Sequence, residues 1–168
     1  MTATELLPLL QHMEWADARI WRAVRALPES VALEAMRERL LHLHLVQHAF
    51  LALWKGAPLT AFPRPEQFPT LTALEAYGRQ VYAAGREVVA ATEAPAFAAP
   101  LAVPHSAHFV PAGGSITHAT RGETVLQVWS HTTHHRGQLA LQIRQLGAEP
   151  PLVDYIVWIW LGRPAAEW

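Results

Sequence analysis

The chain has 168 residues, of which 51% are apolar and 16% are charged, and its formal net charge is -1. This composition excludes a disordered chain, and the scattered lysine and arginine residues give no electrostatic reason to bind nucleic acid or an anionic membrane. The chain contains no cysteine, which excludes disulfides and thiolate ligands, so a transition-metal site would have to use imidazole and carboxylate groups.

The length is typical of one domain that buries roughly two-thirds of its unfolded surface. We therefore expect a single helical domain over residues 1–168. The opening residues, MTATELLPLL, lack the basic region, the long apolar core and the cleavage site of a signal peptide. The sequence thus predicts a soluble, cytoplasmic protein that has no membrane partner.

Two long helices are predicted in the first third of the chain. Apolar residues recur at helical spacing over residues 5–27, and Pro28 ends that pattern. A second helix is predicted from about Ser30, as its N-cap, to Trp54. Residues 57–69 contain four prolines and predict an extended connector, long enough for the second and third helices to run parallel.

A third helix and a long loop follow. The helix is predicted from Thr70, as its N-cap, to about Ala91. Residues 92–120 contain several prolines and glycines and predict a long loop with a short extended piece at LAVPH, residues 101–105.

The last predicted elements are a fourth long helix and a short one. The fourth helix is predicted from about Gly122 to Leu146, where Gly147 is a natural C-cap. The apolar tail VDYIVWIWLG predicts a short buried helix. Four long helices indicate an all-α protein with the architecture of a four-helix bundle.

Two histidines share one face of the fourth helix. His131 and His135 are four residues apart, so at 100° per residue their directions differ by only about 40°. Arg136 and Arg144 project from the other side, whereas the histidine face carries uncharged polar residues. These are Thr124, Gln127, Gln138 and Gln142. Such a seam indicates a partly buried site, so the two histidines are either a pair of metal ligands or part of a solvated stripe of glutamine and histidine.

The second helix offers a third ligand from among His42, His44 and His48. The residues within about 40° of His42 on a helical projection are Ala35, Val46, Ala49 and Leu53. Those about 200–240° away are Arg37, His44, His48 and Lys55. The charged group belongs to solvent, so His42 is predicted to point into the core. There it is either a metal ligand or a core histidine that a polar neighbour satisfies, and His44 or His48 is the alternative ligand.

Four further histidines have no partner at ligand spacing on a predicted helix. They are His12, His105, His108 and His118. We expect these four at loop or surface positions, outside any metal site.

Several segments resemble one known family. Residues 129–138 (WSHTTHHRGQ), with LGAEPP at 146–151 and Asp154, closely resemble the HxxxHRGQ signature and the trailing LGxxPP segment and aspartate of the DinB/YfiT-like metalloenzymes. WADARI at 15–20 is similar to that family's WANxRL, and LHLHLVQ at 41–47 resembles its second helix. The resemblance covers nearly the whole chain, and the HRGQ block is specific.

This resemblance implies an up-down-down-up bundle, a homodimer, and one divalent metal ion, zinc or nickel, held by His42, His131 and His135. It also implies a metal-dependent transferase or hydrolase with a small-molecule substrate, because characterised relatives are S-transferases or isomerases that use a low-molecular-weight thiol. Many relatives carry an acidic residue where this chain has Gln47, so Gln138 is the favoured candidate for orienting a ligand. The alternative is a non-catalytic metal-binding or stress-response bundle.

Overall fold

The computed structural model describes residues 1–59, 62–104, 106, 110 and 118–168. Within these residues the helices are α1 (Ala3–Arg25), α2 (Glu29–Trp54), α3 (Leu71–Ala91), α4 (Ala94–Phe97), α5 (Arg121–Gln145) and α6 (Tyr155–Trp160). A 3-10 helix covers Pro65–Gln67, and the strands β1 (Pro100–Leu101) and β2 (Ala119–Thr120) pair antiparallel. The four long helices begin and end within two residues of their predicted bounds.

The structure confirms one predicted helix cap and contradicts another. Thr70 accepts a hydrogen bond from the backbone N–H of Ala73 at 3.2 Å, and α3 begins directly after it. Ser30 is not the cap of α2, because the helix already begins at Glu29. Pro28 occupies the capping position without a side-chain hydrogen bond, and its φ of -55° leads the chain into the helix.

Contacts between α2 and α3 show that these helices run parallel. Near their starts, the Glu29 carboxylate accepts a hydrogen bond from the backbone N–H of Leu71 at 3.1 Å. Further along both helices, Gln47 donates to the hydroxyl of Tyr82 at 2.8 Å. The predicted reach of the connector between them therefore agrees with the structure.

Two further neighbouring pairs, α2 with α5 and α1 with α3, run antiparallel. Trp54, at the end of α2, donates to Thr124, near the start of α5, at 2.9 Å. Arg25, at the end of α1, pairs with Glu75, near the start of α3, at 2.8 Å. Helices α1 and α5 thus point one way and α2 and α3 the other, which confirms the up-down-down-up four-helix bundle.

Both long connectors contain regular structure that the sequence analysis did not predict. The 3-10 helix at Pro65–Gln67 interrupts the connector predicted to be extended, since proline is tolerated at the first position of a helix. In the long segment before α5, residues 94–97 form α4. The strand β1 shares only residue 101 with the predicted extended piece, and its pairing with β2 brings the two ends of this segment together.

The interior of the bundle is apolar, with a set of buried polar residues in it. Trp21, Leu40, Leu74 and Leu139 come from the four long helices and are each at most 1% exposed. The polar and charged residues buried in the described part of the chain are His12, Asp17, His44, Gln47, Glu75, Thr124, Thr132 and Arg136. Among the described residues, no helix has both the length and the apolar character that crossing a membrane requires.

Candidate metal centre

His42 on α2 meets His131 and His135 on α5 where these two helices pack together. One ring nitrogen from each residue lies within 4.8 Å of the other two. The Nε2 atoms of His131 and His135 are 3.2 Å apart. The ring centre of His42 lies 5.4 Å from that of His131 and 4.7 Å from that of His135. The structure therefore brings together all three residues that the sequence analysis singled out.

The spacing of the two ligand nitrogens on α5 fits a divalent metal ion. Zinc–imidazole bonds of about 2.0–2.1 Å at a tetrahedral angle place two ligand nitrogens about 3.3 Å apart. The Nε2 atoms of His131 and His135 already have nearly this separation, at 3.2 Å. Imidazole suits zinc, nickel, copper and iron alike, so this three-histidine group could hold any of several divalent ions.

Gln138 orients one of the three rings. Its Oε1 accepts a hydrogen bond from the Nδ1–H of His135 at 2.9 Å, and its Nε2 donates to Nε2 of His134 at 2.9 Å. With the hydrogen on Nδ1, the lone pair of His135 Nε2 faces the cluster. For His131, Nδ1 is buried and has no hydrogen-bond partner among the described residues, so packing and the contact of its Nε2 with His135 orient this ring.

The two rings on α5 have lowered pKa values. Burial, together with the neighbouring His135, His42 and His134, lowers the pKa of His131 to about 4. Burial also lowers the pKa of His135, as do His42 and the guanidinium of Arg39, while the hydrogen bond to Gln138 acts against them. Both imidazoles are therefore neutral near pH 7, which is the state that binds a metal.

The comparison with protein families identifies the chain. A model of the DinB family matches residues 1–165. The chain belongs to the DinB family. The matched residues include α1 to α6 and thus both helices that carry the three-histidine group. A comparison with curated protein sequences gives no match.

In this DinB-family protein, the prediction that His42 points into the core is wrong. His42 is exposed, whereas His44 is 0% exposed. Leu40, Leu43 and Leu51 belong to the buried face of α2, and they lie about 100–180° from His42 on a helical projection. The charged residues that define the predicted solvent face, Arg37 and Lys55, lie away from the middle of α2. In the middle of the helix, the buried and exposed faces are therefore the reverse of the prediction.

The three-histidine group consequently lies at the surface of the bundle and not inside it. His42 is exposed, and His131 and His135 are partly buried. The polar seam predicted around them is also divided, because Thr124 is buried in the bundle and Gln127 is exposed. The group is therefore accessible from solvent.

Hydrogen bonds in the interior join the first three long helices. Trp21 donates to Nε2 of His44 at 3.2 Å, and Nδ1 of His44 donates to Gln47 at 3.0 Å. Burial lowers the pKa of His44, so its ring is neutral, as this pattern of one donor and one acceptor requires. Gly78 on α3 leaves room for the ring, because a Cβ there would collide with it. Gln47 continues the chain to Tyr82 at 2.8 Å.

The same chain of hydrogen bonds ends in a buried ion pair that the sequence analysis missed. Arg136 donates to Asp17 at 3.0 Å, the hydroxyl of Tyr82 donates to the other carboxylate oxygen, and both charged residues are 2% exposed. Asp17 falls between Met13 and Ile20 at the apolar spacing of α1. A carboxylate on that face needs a cationic partner, so this spacing is the signal that could have revealed the pair.

The prediction that His12 lies in a loop or at the surface is also wrong. His12 is 2% exposed on α1, and its Nε2–H donates to the carbonyl of Val153 at 2.9 Å. The indole N–H of Trp129 donates to its Nδ1 at 3.3 Å. Aromatic rings of Trp15, Tyr155 and Trp158 also lie around it. Its partners come from distant parts of the chain, which no local pattern reveals.

The buried environment of His12 predicts a loss of stability in acid. Burial lowers the pKa of His12 from 6.5 to about 4, opposed by the Val153 carbonyl and modified by Arg136, Asp17 and Asp154. The ring of His12 takes up a proton at a higher pH in the unfolded chain than in the folded one. The stabilisation that the buried neutral ring provides is therefore complete above pH 6.5 and is lost as the pH falls towards 4. Between pH 7 and pH 5 the loss from this residue is about 2 kcal/mol.

The measurement is the free energy of urea unfolding of wild type and His12→Gln at both pH values. The buried His44 is present in both proteins, so its contribution to the pH dependence of unfolding cancels in the comparison. We expect a smaller pH dependence in the variant, by about 2 kcal/mol. Equal pH dependence in the two proteins would contradict a neutral, buried His12, and His118→Gln, an exposed control, should behave as wild type.

His48 and His118 do not belong to the three-histidine group. His48 is partly buried, with Nδ1 at 2.7 Å from the Tyr77 hydroxyl, and not at the surface as predicted. His118 is exposed, as predicted. His105 and His108 lie outside the described residues. From α2, the group contains His42 and neither His44 nor His48.

Proposed function

We propose that this DinB-family protein binds one divalent metal ion through His42, His131 and His135 and uses it as a thiol-dependent S-transferase. The observation that supports the site is the convergence of three imidazole nitrogens within 4.8 Å. The proposed reaction follows the family resemblance: a low-molecular-weight thiol loses its proton, its sulfur bonds to an electrophilic carbon of a small molecule, and a leaving group departs.

The chemistry of the donor set supports this reaction. When bound at three neutral imidazoles, a divalent ion supplies Lewis acidity at an open coordination position, where the pKa of a thiol or water falls. Gln138 keeps the lone pair of His135 Nε2 directed at the cluster. Arg39, on the turn of α2 before His42, adds positive charge near His135, which favours an anionic sulfur over a neutral ligand.

Access to the site supports a small-molecule substrate. His42 is exposed, so the group opens to solvent between α2 and α5. An electrophile can therefore reach the site without any opening of the bundle. The three imidazoles bring no negative charge of their own, which leaves the charge of the ion available to the bound sulfur.

Two measurements test the proposal. Elemental analysis of protein purified without an affinity tag should find about one divalent ion per chain. Incubation with cysteine or glutathione and a model electrophile should then consume thiol in the metal-loaded protein and not in chelated protein. Metal binding without thiol loss would favour the alternative, a non-catalytic metal-binding bundle, and absence of any bound metal would refute both.

We also propose that the protein is a homodimer, as the resemblance implies. Large apolar side chains lie exposed on and beside α6, and groups of this kind commonly mark interaction surfaces. They are Leu152 (68% exposed), Ile156 (47%), Trp160 (75%) and Leu161 (58%). Sedimentation equilibrium tests the dimer, and a monomer would contradict it. The cytoplasmic location and the stress-response role stay predictions of the sequence.

A further inference from the structure

Two buried side-chain hydrogen bonds from α2 end on threonines of α5. Gln47 Nε2 donates to Oγ1 of Thr132 at 3.2 Å, and Trp54 Nε1 donates to Oγ1 of Thr124 at 2.9 Å. Thr132 is 0% exposed and Thr124 is 2% exposed. The two threonines thus lie on the same helix, are similarly buried, and each accept a hydrogen bond from a side-chain N–H of α2.

They differ in their distance from the candidate metal centre. Thr132 directly follows His131, and Gln47 lies five residues after His42, about 7 Å along the helix axis. Thr124 lies seven residues before His131, about 10 Å along α5. Of these two bonds, the Gln47–Thr132 bond is therefore the one that joins the segments of α2 and α5 that carry the three histidines.

The amide of Gln47 has no freedom to turn. Its Oε1 accepts from Nδ1 of His44 at 3.0 Å, and its two N–H groups donate to Tyr82 and Thr132 at 2.8 and 3.2 Å. His44 is oriented in turn by Trp21, which donates to its Nε2. All the hydrogen-bonding capacity of the Gln47 N–H groups is thus used, and the position of Thr132 is set by contacts on α1, α2 and α3.

We propose that the Gln47–Thr132 hydrogen bond is a positioning contact for the metal ligands, which holds the His131 segment of α5 at a defined separation from the His42 segment of α2. The inference rests on the proposed function, since it concerns the same metal ion. Neither residue belongs to the ligand group, so both act through the backbone and not on the metal. Loss of the threonine hydroxyl leaves a buried N–H of Gln47 without an acceptor, and the two helix segments shift.

The test is zinc affinity, measured by competition with a chromophoric chelator, in wild type, Thr132→Val, Thr132→Ser and Thr124→Val. Valine has the shape of threonine without the hydroxyl, so both valine variants lose one interhelical hydrogen bond and should lower Tm similarly. We expect at least about tenfold weaker zinc binding in Thr132→Val, because loss of a residue that orients metal ligands commonly has an effect of this size. Thr132→Ser, which keeps the hydroxyl, and Thr124→Val should bind zinc as wild type does.

Two results would overturn the inference alone. One is wild-type zinc affinity in Thr132→Val at a lowered Tm, and the other is equal loss of affinity in both valine variants, which would indicate a general effect of stability. Zinc binding by wild type separates these results from failure of the proposed function, because a wild type without zinc overturns both. Should Thr132→Val not fold, Thr132→Ala and Thr124→Ala form the same matched comparison.

Discussion

His131→Ala and His135→Ala are each expected to weaken zinc binding by more than about a hundredfold. This loss exceeds the roughly 10- to 100-fold that follows the loss of a residue that only orients the ligands. Each substitution removes one of three ligands, and the remaining two imidazoles cannot hold a tetrahedral ion tightly. Competition with a chromophoric chelator measures the affinity. Thermal unfolding of the metal-free variants checks that both remain folded.

Two comparisons make this result specific. His118→Ala removes an exposed histidine outside the group and should leave zinc affinity unchanged. His42→Ala should weaken binding as strongly as the substitutions on α5, because the described part of the chain adds no fourth ligand to the group. Full zinc retention in both α5 variants would refute the site, whereas retention in His42→Ala alone would leave a two-histidine site.

Arg136→Met is expected to destabilise the protein by about 3–5 kcal/mol. Methionine keeps much of the volume of the side chain but leaves the Asp17 carboxylate buried without its cationic partner. The cost arises because an uncompensated charge stays in the interior, where solvent cannot reach it. Urea unfolding at pH 7 measures the change in the free energy of unfolding.

The matched control is another ion pair of α1 that lies at the surface. The side chains of Arg22 and Glu167 are 54% and 80% exposed and lie 3.0 Å apart, so Arg22→Met should cost only about 0–1 kcal/mol. A double variant, Asp17→Asn with Arg136→Met, removes both buried charges and should recover part of the loss. Equal changes in the free energy of unfolding for Arg136→Met and Arg22→Met would show that breaking the buried ion pair costs no more than breaking the exposed one.

The long helices and the histidine pair of α5 could be predicted because both depend on local spacing. The cap at Thr70 follows from neighbouring residues, as does the four-residue spacing of His131 and His135. The direction of the helices followed from the family resemblance, and the structure confirms it through contacts at the helix ends. Local pattern is thus sufficient for the four long helices and for two of the three clustered histidines.

The face of α2 could not be predicted from the projection that was used. The projection groups His44 with the charged residues Arg37 and Lys55, whereas His44 is buried in a network of hydrogen bonds and His42 is exposed. The sequence alone does not show that Trp21 and Gln47 satisfy the His44 ring, because Trp21 lies on another helix. His42 does lie in the three-histidine group, as the family resemblance implies, but the burial that the projection predicts for it is contradicted by the structure.

The buried partners of His12 and Asp17 lie beyond the reach of local pattern. His12 contacts Val153, which is 141 residues further along the chain, and Asp17 contacts Arg136, which is 119 residues further. A helical pattern can show that a polar residue falls on an apolar face, but it cannot name the group that satisfies it. Such pairs emerge only once the packing of α1 against α5 and against the segment between α5 and α6 is known.

Because His42 is exposed, an ion at the proposed site would exchange with its surroundings while the protein stays folded. Nitrogen ligands bind divalent ions more tightly from manganese towards copper, and three imidazoles do little to reverse that order. The ion that occupies the site would then depend on which divalent ions are available around the protein. The ion recovered with the protein would indicate which of them is available at a sufficient concentration. Copper added to a purified zinc sample would displace the zinc.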